Sequence, residues 1–179
     1  MQTKLIGIAG RKGSGKDTVA RMIQKQHPEM ITRSFAAPMK EACTIIFGWS
    51  PMNMESLEFK EKVDPEFGVN PRRALQTLGT EWGRDLIHPD LWVLSMRKFI
   101  LASKKPVIVT DVRFENEAQL IRALGGKLIH IETDIDLLKD AHVSERPIRK
   151  QEEDWVLNNP HEGHRALEES VIDLLFEFD

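Results

Sequence analysis

The sequence predicts an α/β fold, a five-stranded parallel sheet flanked by helices and built around a phosphate-binding loop. Three observations carry this prediction. Short apolar runs alternate with helix-patterned stretches, the order expected of parallel βαβ units. Gly10-Arg11-Lys12-Gly13-Ser14-Gly15-Lys16-Asp17-Thr18 follows the first apolar run directly and has the P-loop spacing G-x-x-x-x-G-K. The 179 residues, 41% hydrophobic and 30% charged, suit one ordinary domain with one sizeable core.

The first strand, Lys4–Ala9, contains Leu5-Ile6-Gly7-Ile8-Ala9 and delivers the chain into the loop. A helix over about Lys16–Gln26 follows, with apolar Val19, Met22 and Ile23, and stops at His27-Pro28. Ile31–Phe35 is the second strand. From Pro38 a helix places Met39, Cys43, Ile46 and Phe47 on one face, with Ala42 beside them. Trp49–Asn70 lacks periodicity and carries Pro51, Pro65 and Gly68, so it reads as a surface excursion or mobile flap. A longer helix runs from about Pro71 to Leu86, and Asp90 caps another that reaches Ser103. Val107–Thr110 is the third strand; Phe114–Leu124 is helical and ends at the C-cap pair Gly125-Gly126. Lys127–Glu132 and Asp154–Leu157 complete the sheet. The last helix, about Gly163–Phe178, buries Leu167, Val171, Leu174, Leu175 and Phe178. Asp140–Glu153, charged and without an apolar face, is a lid candidate, with a solvated loop as the equal alternative. The chain is thus read as a single domain over 1–179, with 49–87 as a substrate-binding region and 140–153 as the lid candidate.

Composition narrows the function. A net charge of −3 argues against nucleic acid polymers, which require a basic face to displace counterions. The one cysteine, Cys43, excludes an internal disulfide and reads as a packing residue. No apolar run is long enough to span a bilayer, and the N-terminus does not read as a signal peptide. A soluble intracellular protein is expected.

The loop chemistry is specific. Glycines at 10, 13 and 15 let the backbone turn several N–H groups inward, and the helix that starts near Lys16 adds its dipole. Arg11, Lys12, Gly13, Ser14, Gly15, Lys16, Asp17 and Thr18 are therefore the expected ATP-binding set. Lys16 reaches the terminal phosphates as a mobile point charge. The usual hydroxyl for Mg²⁺ is displaced by one place, because Asp17 precedes Thr18. Asp17 then either faces the metal, through water, or turns outward. This variant fits small-molecule kinases better than regulatory GTPases or motor ATPases.

In open parallel sheets, ligands sit at the carboxyl ends of the strands. That rule brings Lys40, after the second strand, and Asp111-Val112-Arg113, after the third, to the loop. Asp111 is a candidate for holding Mg²⁺ water or ordering the loop, with an N-cap as its plainer role. Arg113 and Lys40 are candidates for phosphate oxygens. On the helix Pro71–Leu86, Leu75, Leu78, Trp82 and Leu86 make an apolar seam. Arg73, Gln76, Thr80 and Arg84 form a second row on nearly the opposite face, suited to a phosphorylated, hydrogen-bonding ligand. Gly79 within that helix allows close ligand approach, and Trp92 or Phe35 could stack on a base, though both are more often core residues. The lid candidate offers His142, Ser144, Glu145, Arg146 and Arg149; an arginine closing there would stabilise transferring charge and exclude water. Asn158-Asn159-Pro160, after the last strand, is placed to meet adenine or simply to turn.

Together, Gly10–Thr18, Phe35-Ala36-Ala37-Pro38-Met39-Lys40, Arg73-x-x-Gln76-x-x-Gly79-Thr80-Glu81, Asp111-x-Arg113, Ser144-Glu145 and Asp154-Trp155-Val156-x-Asn158 resemble the deoxynucleoside monophosphate kinases of tailed bacteriophages. The Gly-Lys-Asp-Thr loop, Asp-x-Arg and Asp-Trp-Val segments also resemble animal-type phosphomevalonate kinase. The resemblance runs from the first strand to the last helix. It implies a P-loop NTPase fold of nucleoside-monophosphate-kinase type and the reaction ATP + dNMP → ADP + dNDP, with Mg²⁺ as cofactor. On that reading Lys16, Asp111, Arg113 and a lid arginine, Arg146, are catalytic, and Asn159 joins the ATP site. Lys40, Arg73, Gln76, Thr80, Arg84, Trp92 and Glu145 bind the acceptor, and Asp17 and Asp111 approach the metal through water. The partners implied are small nucleotides, with no nucleic acid polymer and no membrane; a homodimer is allowed. The location implied is cytoplasmic, the host cytoplasm for a phage protein. The competing readings are a kinase for another small phosphate, such as phosphomevalonate, and a P-loop ATPase or switch coupled to a partner.

Overall fold

The computed structural model describes residues 4–11, 13–133, 148–159 and 164–176. Its strands are β1 (Leu5–Gly10), β2 (Ile31–Arg33), β3 (Val107–Val112), β4 (Lys127–Glu132) and β5 (Trp155–Asn158). They form one parallel sheet in the order β2-β3-β1-β4-β5. Such a sheet must be covered on both faces, which explains why β1 and β3 read as continuous apolar runs. On one face, Ile6 and Ile8 pack with Val19, Ala20 and Ile23 of α1 (Lys16–Gln26) and with Leu167, Val171 and Leu175 of α7 (His164–Phe176). On the other, α6 (Glu115–Ala123) lies against β1 and β4, with Ile121 over Gly7.

Within the span expected as one domain, the chain forms two compact units, Met1–Ser34 with Arg97–Asp179, and Phe35–Met96. The first holds the sheet with α1, α6 and α7. The second holds α2 (Ala37–Phe47), a 3₁₀ turn at Asn53–Glu55, α3 (Leu57–Glu61), α4 (Pro71–Gln76) and a π-helical segment, Thr77–Ile87. The boundary at Met96 falls inside α5 (Leu91–Ala102).

Several expectations need correction. β2 stops at Arg33, where its pairing with Val109 ends, so Ser34 and Phe35 lie past the strand. β3 continues to Val112, so Asp111 lies in the strand rather than after it. Ile46 is exposed, because Met39, Cys43 and Phe47 suffice to cover the packed face of α2. The segment 49–70 is not a surface excursion: Trp49 and Met54 are buried and form a core with Cys43 and Ala74. Phe47 stacks on Trp49 at 4.2 Å, and the Trp49 Nε1 donates to Asp64 at 2.7 Å. That hydrogen bond is the main cause holding the Asp64 carboxyl below its ordinary range. The aromatics were visible in the sequence, but elements of three and five residues are too short to show a period.

In the first unit, a partly buried ionic network ties the backbone of residues 149–154 to α6 and β4. Asp154 accepts from Arg122 Nε at 3.1 Å, from a terminal nitrogen of the same guanidinium at 2.6 Å, and from Gln151 N at 2.9 Å. His130 Nε2 lies 2.9 Å from the same carboxylate. Arg122 also donates to the Arg149 carbonyl at 2.9 Å, and the Arg149 N–H donates to Glu115 at 3.2 Å. Burial opposes the Asp154 charge, but the bonds from Arg122, Gln151 and His130 outweigh it and bring the pKa down to about 2. A carboxyl whose pKa is lowered by folding stabilises the fold above its unfolded value and loses that contribution as pH falls through the folded one. Urea unfolding should therefore show a loss of about 2 kcal/mol between pH 4 and pH 2 that is missing in Asp154→Asn. Equal acid sensitivity in the two proteins would place the effect elsewhere.

Candidate active site

The chain leaves β1 through α1 toward β2 on one side, and leaves β3 through α6 toward β4 on the other. Their carboxyl ends therefore open the crevice at which open α/β sheets bind ligands. The loop that follows β1 lines it. Gly13 and Gly15 have φ of 78° and 96°, which side-chain-bearing residues rarely adopt. Lys16 begins α1 and is 8% exposed; its Nζ donates to the carbonyls of Gly10 at 2.7 Å and Arg11 at 2.8 Å. Asp111 Oδ1 lies 3.9 Å from the same nitrogen.

β3 positions the acid through an irregularity in its ladder. Between Gly7 and Ala9 of β1 the partner advances from Val109 to Val112, so β3 carries one extra residue at Thr110–Asp111. A bulge of this kind re-aims a side chain. Asp111 accepts from Arg113 Nε at 2.9 Å on each oxygen, so the two residues read as a motif form one ion pair. Behind them, Glu117 was missed by the sequence reading. It is buried, and its Oε2 accepts from the backbone N–H of Arg113 at 2.8 Å and of Phe114 at 3.2 Å. The available signal was a glutamate three residues after the helix cap, which reaches back to free N–H groups.

Asp17 is exposed on the first turn of α1, and the Thr18 hydroxyl accepts from Arg21 at 3.3 Å. On the reading that the loop takes Mg·ATP, Asp17→Ser should keep ATP binding and shift the Mg²⁺ dependence of turnover; a Mg²⁺ titration that overlays wild type would show that Asp17 turns away from the metal. Arg11 is exposed and contributes its carbonyl to Lys16. Ser14 is buried, and its Oγ has no hydrogen-bond partner among the described residues. Asn159 is 6% exposed and donates from Nδ2 to the Ser14 carbonyl at 2.9 Å. Among the described residues no three His, Cys, Asp or Glu side chains gather as a metal-holding group. None is long and apolar enough a helix to cross a membrane, again among the described residues. Lys12, His142, Ser144, Glu145 and Arg146 lie outside the described residues, as does most of the lid candidate; Arg149 is exposed.

The second unit carries the row on the helix after Asn70. Asn70 caps that helix, its Oδ1 accepting from Arg73 N at 2.8 Å, and Pro71 sits in the first turn. The expected single α-helix becomes π-helical at Thr77. The turn then widens from 3.6 to roughly 4.4 residues, so each residue advances about 80° instead of 100°. This explains the failure of the apolar seam. Leu75 and Leu78 still pack on the core, whereas Trp82 is 45% and Leu86 77% exposed. Gly79 and Gly83 take the buried positions instead. A Cβ on Gly79 would meet Met39 Sδ at 2.8 Å, and one on Gly83 would meet the Trp92 ring at 2.7 Å. Gly79 therefore makes room for Met39, not for a ligand. Trp92 is 7% exposed, its Nε1 donating to the Gly79 carbonyl at 2.7 Å, so its ring is taken up by packing; Phe35 is buried as well.

Arg73, Gln76 and Thr80 stay exposed on one side of this element, while Arg84 drifts to a half-buried position, as the wider turn requires. Lys40 pairs with Glu55, and Arg72 pairs with Glu61. No carboxylate among the described residues pairs with the Arg73 guanidinium.

Comparison with known proteins agrees with this geometry. Residues 57–169 match the family model described as deoxynucleotide monophosphate kinase. A protein of Acanthamoeba polyphaga mimivirus, provisionally named a deoxynucleotide monophosphate kinase, is 38% identical over 159 residues, covering 81% of this chain and 82% of its own. The deoxynucleoside-5'-monophosphate kinase of Escherichia phage T5 is 29% identical over 178 residues, covering 66% and 71%. Among solved structures, TT1252 from Thermus thermophilus superposes with a TM-score of 0.57 at 20% identity, over 99% of this chain and 98% of that one. The dephospho-CoA kinase of Campylobacter jejuni gives 0.50 at 12% identity, over 99% and 98%. At such identities the structures speak for the fold alone.

Proposed function

We propose, because this chain belongs to the deoxynucleotide monophosphate kinase family, that it transfers the γ-phosphoryl group of ATP to a deoxynucleoside monophosphate, giving ADP and the deoxynucleoside diphosphate. The observation that carries the reading is the pairing of a complete phosphate loop with a separate cationic row. Lys16 stands in a loop in which Gly13 and Gly15 hold positive φ, and Arg73, with no carboxylate partner among the described residues, leads the polar row of the second unit. A hydrolytic switch has no need of a second anion site.

Phosphoryl transfer leaves little covalent work to the protein, so alignment and charge neutralisation dominate. The loop N–H groups and Lys16 bind the donor phosphates, and Lys16 exchanges its two carbonyl bonds for phosphate oxygens. The acceptor oxygen is already anionic near neutral pH, so no general base is needed. Arg73, assisted by Gln76 and Thr80, holds the acceptor; Lys40 joins them only by exchanging its pairing with Glu55 for phosphate, and Arg113 meets phosphate charge from the end of β3. Asp111 keeps Arg113 oriented through its two-oxygen pairing. Arg146 is the lid arginine of this reading, and Glu145 its neighbour at the acceptor.

Mg²⁺ would suit these hard oxygen donors and would supply charge neutralisation at the donor phosphates. Asp111, already balanced by Arg113 and Lys16, and Asp17, on the first helical turn, would hold it through its water ligands. On this reading the protein works in the cytoplasm, the host's if the gene is a phage's. A panel of deoxy- and ribonucleoside monophosphates and phosphomevalonate, each with Mg·ATP and read as ADP formed, tests the reading. Deoxynucleoside monophosphates should be the productive acceptors. Turnover with phosphomevalonate alone, or ADP formation independent of any acceptor, would replace it.

A further inference from the structure

Asn159 stands just past β5, at the opposite end of the sequence from the phosphate loop. Its backbone N–H donates to the Glu132 carbonyl at 2.8 Å, extending the β4–β5 ladder by one residue and fixing the side chain's origin on two strands. From there Nδ2 reaches the Ser14 carbonyl, a buried hydrogen bond between residues 145 positions apart. Gly15 is shaped around this contact. A Cβ on Gly15 would sit 2.6 Å from Asn159 Nδ2, so the glycine is required by the asparagine as well as by its φ of 96°.

We propose that Asn159 is a positioning residue for the phosphate loop, acting on the donor through the Ser14–Gly15 peptide and not through the nucleobase. The peptide is planar and trans, so its carbonyl and its N–H point in opposite directions. With the Ser14 carbonyl turned to Asn159, the Gly15 N–H is turned away from it and held as a donor for phosphate. Without this brace the peptide is free to rotate, and a preset anion-binding amide becomes one that must be ordered on each binding event. The buried setting adds to the effect, because a Ser14 carbonyl stripped of its donor seeks another partner within the loop. The inference rests on the loop holding the donor and is indifferent to the acceptor. A chain that binds ATP through this brace but phosphorylates no deoxynucleotide would sink the function and leave the brace standing.

The test compares two probes, Mg·ATP and Mg·tripolyphosphate, by calorimetry on wild type, Asn159→Ala and Asn159→Asp. The aspartate keeps the shape but presents an acceptor where the donor stood. Both probes should weaken by the same factor, roughly tenfold for alanine and more for aspartate. Deoxynucleoside monophosphate affinity should stay at the wild-type value, and the KM for ATP should rise more than kcat falls. Loss of ATP affinity with tripolyphosphate binding intact would make Asn159 a base contact and overturn the proposal. A lowered melting temperature with both affinities unchanged would make it a purely structural residue and overturn it equally. Should the alanine protein fail to fold, the isosteric aspartate decides.

Discussion

Lys16→Ala should lower the rate of phosphoryl transfer by on the order of 10²-fold or more, about 3 kcal/mol of transition-state stabilisation. The loss belongs to charge neutralisation and not to folding. Removing the ammonium frees the Gly10 and Arg11 carbonyls at the loop surface, but α1 keeps the buried contacts of Val19, Ala20 and Ile23 that seat it on the sheet. The melting temperature should therefore change little while turnover collapses. Circular dichroism and a coupled ADP assay on one preparation check both statements. A folded Lys16→Ala protein turning over near the wild-type rate would remove the loop from the reaction.

Arg73→Ala should weaken use of the deoxynucleoside monophosphate by about 2–4 kcal/mol in kcat/KM, as for a desolvated charge-assisted contact. ATP affinity should hardly change, because the donor is held by a separate set of groups. The helix itself should survive, since the contribution of residue 73 to its cap comes from the backbone N–H and not from the side chain. Arg73→Lys should recover only part of the loss, for an ammonium lacks the two-pronged geometry of guanidinium. Separate calorimetric titrations with ATP and with the monophosphate measure both. Equal weakening of the two ligands, or of neither, would assign Arg73 a structural or solvated role.

How far the sequence could be read depended on whether the local pattern was also the deciding force. The phosphate loop was legible because its chemistry demands fixed spacing; α1, with bounds at Lys16 and Gln26, and β4 were legible because an apolar run or face had a single place to go. Asp111 was found by its place after an apolar run, although the bulge that aims it leaves no signature in residue types. The helix Pro71–Leu86 shows the opposite case. Its period was read as 3.6, and the π-helical turns from Thr77 displaced Trp82 and Leu86 from the core. Two glycines four apart were the clue, and their meaning depended on Met39 and Trp92, which lie outside that helix. Asn159 was expected to meet adenine or simply to turn; its hydrogen bond to Ser14 joins residues 145 apart and has no local signal. Lys40, chosen for its position after a strand, meets Glu55, a pairing between residues fifteen apart that no helical or strand period predicts.

The central claim is that the phosphoryl group goes to a deoxynucleoside monophosphate and not to water. ATP labelled in its γ-phosphate, incubated with enzyme, Mg²⁺ and each monophosphate in turn, reads this directly once the products are separated. The account predicts that the label appears in the β-position of the deoxynucleoside diphosphate, with little inorganic phosphate formed when the acceptor is omitted. Label released as inorganic phosphate at one rate, with or without a monophosphate, would contradict it.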